Sequence, residues 1–152
     1  MNRSLKWRAV NALIMNIPIA LAISLTAQLL AIHKVIPALL VINFLIAYAI
    51  SFIVGVFVPA VKWGFGFAMF CKTKPDTLPF GLAINVVVNL VYVVINCLIL
   101  TYFNVCILNH APIIAYFIGM ASTFIPIYIV GYIVSFLWNR PAEKITDSIV
   151  KE

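Results

Sequence analysis

The chain has 152 residues, of which 65% are hydrophobic and only 9% are charged. Soluble domains carry about 25% charged residues, so this composition argues against a water-soluble fold and favours a protein surrounded by lipid. The net charge is +6, with ten Lys and Arg against four Asp and Glu. These basic residues lie at the ends and in the connections, without a basic stripe on one face, which argues against nucleic-acid binding.

Four apolar stretches follow one another along the chain, and each is a predicted transmembrane helix. They cover about residues 10–32, 37–61, 80–102 and 112–138, and none contains Asp, Glu, Lys or Arg. Each is longer than the roughly 20 residues that cross a hydrocarbon core of about 30 Å. Backbone groups in lipid must be bonded within their own segment, so these stretches are helices. The predicted fold is therefore an all-α integral membrane protein with four transmembrane helices.

The positions of Lys and Arg predict how the chain is oriented. Nine of the ten fall on one side of the four crossings, and Lys34 alone falls on the other. By the positive-inside rule, both termini are predicted to be cytoplasmic, in a multi-pass protein of the bacterial inner membrane. The nine residues are Arg3, Lys6, Arg8, Lys62, Lys72, Lys74, Arg140, Lys144 and Lys151. Trp7, Trp63 and Trp138 are predicted at the same boundary, as in an aromatic belt.

The two halves of the chain are similar. Residues 1–70 are predicted to form a first two-helix hairpin, and residues 71–152 a second hairpin with a short, solvated cytoplasmic tail. Gly55 and Gly131 lie eight and seven residues before a Trp that has a basic residue close by, and Asn16 and Asn85 lie early in the first and third helices. Both halves enter from the same side, which predicts a parallel repeat about an axis along the membrane normal. A chance similarity between two apolar hairpins is the alternative.

A family resemblance rests on the first half, in residues 14–18 (Ile-Met-Asn-Ile-Pro), Ser24, His33, Pro37 and 58–62 (Val-Pro-Ala-Val-Lys). There the chain resembles the uncharacterised bacterial family catalogued as domain of unknown function 2798. That family consists of hairpins of two membrane helices, and tandem copies in one chain occur in it. The second half differs by having Ser135 near the place of the exit proline. Because the family has no established activity, the resemblance implies an architecture and no function.

Several functional classes are disfavoured by the residues that the chain lacks. Proteobacterial antimicrobial compound efflux proteins are also four-helix tandem hairpins, but they carry an acidic residue in the first helix, where this chain has Met15, Asn16 and Pro18. The sequence contains no phosphate-binding loop, no Ser-His-Asp set and no paired carboxylates, which are motifs that would suggest an enzyme. Three cysteines and two histidines show no metal-ligand spacing. We therefore expect no enzyme activity, no cofactor and no bound metal.

A polar stripe runs along the third predicted helix. At about 100° per residue, Asn85, Asn89 and Asn96 fall within an arc of about 40°, and Tyr92 lies about 20° outside it. In the first helix, Asn16 lies on a comparable stripe that Ser24 flanks. An unpaired amide in an apolar medium costs a few kcal/mol, so these faces should point away from lipid. Two alternatives stay open: hydrogen bonds between helices, or the lining of a solute pathway.

Small or polar residues recur every four positions in the second helix, and a similar series in the fourth helix is broken by Ile127. Small side chains let helix backbones approach closely, so these ridges are predicted helix contacts. Their members are Asn43, Ala47, Ser51 and Gly55 in the second helix, and Gly119, Thr123, Gly131 and Ser135 in the fourth. Pro18 and Pro126 lie inside predicted helices and are expected to kink them.

Two functions are compatible with these features. The first is a small transporter or channel-like protein, as a monomer or a homodimer, that moves a neutral or cationic apolar solute through an Asn-lined interior. The absence of acidic residues in the helices argues against coupling to protons. The second is a non-transporting accessory or assembly subunit of a membrane complex.

Overall fold

The computed structural model describes residues 4–151, and within them it contains helices and no strand. The α-helices are α1 (Leu5–Ile32), α2 (Pro37–Phe57), α3 (Ala60–Phe70), α4 (Leu78–Tyr102) and α5 (Ile113–Ile149), and a π-helical turn (Phe103–Leu108) follows α4. Four segments are long and apolar enough to cross a membrane: α1, α2, α4 together with the π-helical turn, and α5. The prediction of an all-helical chain with four long apolar helices is confirmed.

Three predicted helix boundaries are wrong. The first helix begins at Leu5 and not near residue 10. The second helix ends at Phe57 and not at residue 61, because Val58 is extended, as a residue before proline prefers to be. A separate helix, α3, then replaces the predicted connection. The last helix does not end near residue 138 in a solvated tail but continues through Pro141 to Ile149. Its final turns are helical because they pack against the rest of the bundle, with Ala142 and Thr146 fully buried.

Two further predictions concern the prolines inside helices and the basic residue Arg3. Pro18 and Pro126 lie within α1 and α5, and both helices continue on either side of them; a kink at these sites stays a prediction. Arg3, one of the residues used to predict the orientation, lies outside the described residues.

The four long helices form a bundle in the order α2, α1, α5, α4, and α4 closes the ring with a smaller contact to α2. One end of the bundle holds the two short connections, residues 33–36 and 109–112, and is called the short-loop end. The opposite end holds the start of α1, helix α3 and the last turns of α5, and is called the terminal end. Helix α3 packs along the first turns of α4, where a Cβ atom on Gly64 would lie 2.7 Å from the Ile84 carbonyl oxygen.

The apolar core lies in the middle of the bundle, between the two ends. It is formed by buried residues of all four long helices: Ile19, Ala20, Ile23, Ala47, Val93, Cys97, Leu100 and Ile127. The predicted contact residue Ala47 is fully buried there. This core separates the polar groups of the short-loop end from those of the terminal end.

Candidate functional site

The terminal end is covered by the last turns of α5, which are bonded to α1. The Trp7 indole Nε1 donates a hydrogen bond of 2.7 Å to the Asp147 carboxylate, and the Thr146 hydroxyl donates one of 3.1 Å to the Asn11 side-chain oxygen. Trp7 and Thr146 are both buried. These contacts hold the first turns of α1 against the end of α5.

The short-loop end contains a cavity of about 120 Å³ between α1, α2, α4 and α5. Its lining includes Ile32 and Asn109, which are exposed, so the cavity reaches the surface. An engineered apolar cavity of about 150 Å³ takes up benzene, so this one suits a solute of a few heavy atoms. Half of the lining residues are aliphatic and none is ionised; the polar members are Gln28, Asn43, Thr101, Asn104, Asn109 and Thr123.

Two facing amides form the most polar part of this cavity. Asn43 of α2 and Asn104 of the π-helical turn exchange hydrogen bonds of 3.3 and 3.0 Å between their side-chain amides. The Asn104 amide nitrogen also donates to the Leu100 carbonyl at 2.7 Å. Sequence reasoning missed Asn104 because it ended the third helix at residue 102. The spacing gave no clear signal, because at about 100° per residue Asn104 lies about 80° from Asn96 and outside the arc of the polar stripe.

We expect Asn43→Leu and Asn104→Leu each to destabilise the fold by about 1–2 kcal/mol, because each removes both bonds between the two amides and leaves the partner's side-chain oxygen without a donor. The double variant should lose less than the sum of the two, with a coupling of about 0.5–1.5 kcal/mol. The stability losses of the two single variants and the double variant are measured by SDS titration in mild detergent micelles, with tryptophan fluorescence as the signal. Asn139→Leu, at an exposed amide, is the control. Strictly additive losses would show that the two amides do not stabilise each other.

The polar stripe of α4 lies in helix contacts and not along the cavity. The Asn85 amide donates to the Tyr132 carbonyl at 3.1 Å, and the Asn89 amide donates to the Tyr128 carbonyl at 2.9 Å. Both acceptors belong to the backbone of α5. Of the two alternatives that the sequence left open, direct bonds between helices describe Asn85 and Asn89.

The third member of the stripe, Asn96, is fully buried and faces α2. Its amide nitrogen donates to the Ser51 hydroxyl at 3.0 Å and to the Tyr92 carbonyl at 2.9 Å. Ser51 is also fully buried, so this contact lies inside the bundle and away from its surface. Tyr92 itself reaches α2 one turn further along, where its hydroxyl oxygen lies 2.6 Å from the position of a Cβ atom on Gly55.

Asn16 of α1 lies in the same layer as Ser51 and Asn96. The Ala12 side chain lies 3.0 Å from the Cβ position of Gly55, so these two residues face each other. Since α1 and α2 are antiparallel neighbours, one turn further toward the short-loop end brings Asn16 on α1 level with Ser51 on α2. The three residues Asn16, Ser51 and Asn96, all 1% exposed or less, are called the central layer.

Three buried polar atoms have no hydrogen-bond partner among residues 4–151: Asn16 Nδ2, Asn96 Oδ1 and the Ser24 hydroxyl oxygen. A buried polar group without a partner costs about 1–3 kcal/mol, so native proteins keep few of them. Two of the three belong to the central layer. The third, Ser24, is fully buried and lies two turns from Asn16 toward the cavity.

An apolar floor separates the cavity from the central layer. Ile23, Leu100 and Ile127 line the cavity and also belong to the buried core. Leu100 lies one helical turn from Asn96 along α4, so a single layer of side chains lies between them. A solute that enters from the short-loop end therefore meets amides and hydroxyls, then an apolar layer, then the central layer.

The remaining predicted packing residues fall into two groups. A Cβ atom on Gly131 would lie 2.9 Å from the Asn89 side-chain oxygen, so Gly131 allows α5 to approach α4. Gly119 and Thr123, predicted only as helix contacts, also line the cavity. Sequence periodicity identified this face of α5 but could not show that the helices diverge along it toward the short-loop end.

The chemistry that this arrangement offers is hydrogen bonding to an uncharged molecule. Within residues 4–151, no group of three His, Cys, Asp or Glu side chains is placed to hold a metal ion. Besides the Cys97 thiol, the polar groups of the cavity and the central layer are amides and hydroxyls, which can donate and accept hydrogen bonds. Comparison with known proteins adds no family, since no family model, no curated protein and no solved structure matches the chain.

Proposed function

We propose that the chain is a multi-pass protein of the bacterial cytoplasmic membrane, with the short-loop end outside. The support is the length and composition of four helices and the distribution of charge. Of the nine described Lys and Arg residues, all but Lys34 lie in the first turns of α1, in α3 or the connection after it, or in or just after the last turns of α5. By the positive-inside rule, this distribution supports a cytoplasmic location of the terminal end.

The proposal includes a parallel repeat of two hairpins, as in the family catalogued as domain of unknown function 2798. Helices α1 and α2 are neighbours, and so are α4 and α5. The segment that follows each hairpin packs on the first helix of the other: α3 packs on α4, and the last turns of α5 pack on α1. A two-fold axis along the membrane normal accounts for this reciprocal packing.

Within that membrane, the proposed function is that of a small-solute transporter or channel-like protein for uncharged molecules. The observation that carries it is the cavity of about 120 Å³ at the short-loop end, with amides and hydroxyls and no ionised group in its lining. A cation would enter such a site without a counter-charge, at a cost of several kcal/mol in a membrane interior. The lining therefore favours a neutral solute over a cationic one.

Gly119→Leu is expected to block this function, because the added side chain fills the cavity that Gly119 lines. The full chain is reconstituted into vesicles of phosphatidylethanolamine and phosphatidylglycerol, and swelling in glycerol or acetamide is followed by stopped-flow light scattering. Native protein should raise the swelling rate above that of empty vesicles, and Gly119→Leu should return it to that rate. Gly66→Leu is the matched control, since nothing lies within 4 Å of a Cβ atom there.

Either of two results would refute the transport proposal. One is a swelling rate equal to that of empty vesicles in both glycerol and acetamide. The other is a native rate that Gly119→Leu leaves unchanged, since solute would then cross by a route that does not use the cavity.

The second candidate is an accessory or assembly subunit, alone or as a homodimer. The observation that favours it is the use of Asn85 and Asn89 for bonds to the α5 backbone, which makes these amides part of the scaffold. Cross-linking in native membranes, followed by purification in mild detergent, tests it. A monomer that passes solute unaided would rule out this candidate.

A further inference from the structure

We propose that the central layer is an occluded binding site for one small uncharged group that both donates and accepts a hydrogen bond, namely a hydroxyl or a carboxamide. The inference rests on the proposed transport function and names the class of solute. It concerns the fully buried residues Asn16, Ser51 and Asn96, which lie beyond the apolar floor of the cavity.

The two unpaired atoms of the central layer define what the site can hold. Asn16 Nδ2 is a donor and Asn96 Oδ1 is an acceptor, and neither has a partner among residues 4–151. A guest that pairs with both atoms must accept a hydrogen bond from Asn16 and donate one to Asn96. Hydroxyls and primary carboxamides do both, whereas ketones and carboxylates only accept and ammonium groups only donate.

The absence of charged side chains around the central layer is a second, independent feature that excludes ions. The central layer has no ionised side chain, and the cavity that leads to it has none in its lining. Burying an ion without a partner of opposite charge costs far more than burying a hydroxyl or an amide. The site therefore selects by the absence of charge as well as by hydrogen-bonding pattern.

The unpaired atoms also mark a route from the cavity to the central layer. The Ser24 hydroxyl is fully buried and has no partner among residues 4–151, and its neighbour Ile23 lines the cavity. Ser24 and Asn16 lie on one face of α1, two turns apart. A guest that passes the apolar floor would meet Ser24 first and the central layer next, so each unpaired group would be satisfied in turn.

Three probes of nearly equal size and shape distinguish the classes: acetamide donates and accepts, acetone only accepts, and acetate is an anion. The full chain, labelled with ¹⁵N at asparagine, is placed in bicelles, and the Asn16 side-chain amide signal is identified by its loss in Asn16→Leu. We expect magnetisation transfer from the Asn16 amide protons to water without probe, and to the acetamide methyl group when acetamide is present. Acetone and acetate should leave the transfer to water unchanged.

Two outcomes of this experiment would overturn the inference. Transfer to water that acetamide does not replace at any concentration would show a structural water and no solute site. Transfer from Asn16 only to other protein protons, with neither water nor acetamide, would show that the central layer closes by direct bonds between its own amides.

A matched pair of variants separates this inference from the proposed function. Asn16→Leu should return acetamide-driven swelling to the rate of empty vesicles without lowering thermal stability, because Asn16 Nδ2 has no protein partner. Asn89→Leu, the same change at an amide bonded to the Tyr128 carbonyl, should lower thermal stability. If Gly119→Leu blocks swelling and Asn16→Leu does not, the transport proposal stands and the central-layer site falls. If the native chain passes no solute, the transport proposal falls, and the magnetisation transfer still decides whether the site is occupied.

Discussion

Gly64→Ala is expected to destabilise the folded chain by about 1–3 kcal/mol, the range measured when extra carbon is forced into a well-packed contact. A Cβ atom at this position would lie 2.7 Å from the Ile84 carbonyl oxygen and 3.2 Å from the Ile84 Cα. Both are backbone atoms of the first turns of α4, so no side-chain rotation can relieve the clash. Helix α3 would have to move away from α4 along its whole length.

Gly66→Ala is the control for this prediction. Gly66 lies in the same helix, and nothing lies within 4 Å of its Cβ position. Since Ala is favoured over Gly in a helix by about 1 kcal/mol, this variant should be as stable as the native chain or more so. SDS titration in mild detergent micelles measures both. Equal stability of the two variants would show that α3 does not pack against α4 as described.

The close contact of α3 with α4 could not be predicted from apolar run lengths, although one signal for it was present. Ala60, Gly64 and Ala68 follow one another at intervals of four and are all buried, the same pattern that identified the contact face of α2. A connection was predicted here because the second apolar run ends at residue 61, directly before Lys62. The helix forms because its small-residue face packs against α4. That contact cannot be read from the sequence of the α3 segment alone.

The four long helices could be predicted because each depends on its own residues. A run of more than about 20 apolar residues has few structural alternatives, whatever lies beside it. The roles of the asparagines depend instead on the neighbouring helix. Asn89 meets a carbonyl of α5, Asn96 meets Ser51 of α2, and Asn16 Nδ2 meets no protein partner. Periodicity placed all of them on inward faces, and only the packing of the bundle distinguishes a bonded amide from an unpaired one.

Removing residues 141–152 is expected to destabilise the fold by about 3–5 kcal/mol, more than any single substitution considered above. This truncation removes Ala142, Thr146 and Val150, which are 0%, 0% and 5% exposed, together with the bonds of Thr146 to Asn11 and of Asp147 to Trp7. A solvated tail, which the sequence favoured, would be lost at almost no cost. The difference between the two expectations is therefore several kcal/mol, well above the error of an unfolding measurement.

The size of this effect follows from where the contact lies. Inside lipid, burying apolar surface between helices gains little, because the hydrocarbon tails are equally apolar. The terminal end is proposed to face the cytoplasm, where burial of Val150 and the rest of this contact removes apolar surface from water at about 25 cal/mol per Å². Truncation after Val150 keeps the whole contact and should unfold at the same SDS concentration as the native chain. A similar loss from both truncations, or from neither, would show that the last turns of α5 do not hold the start of α1.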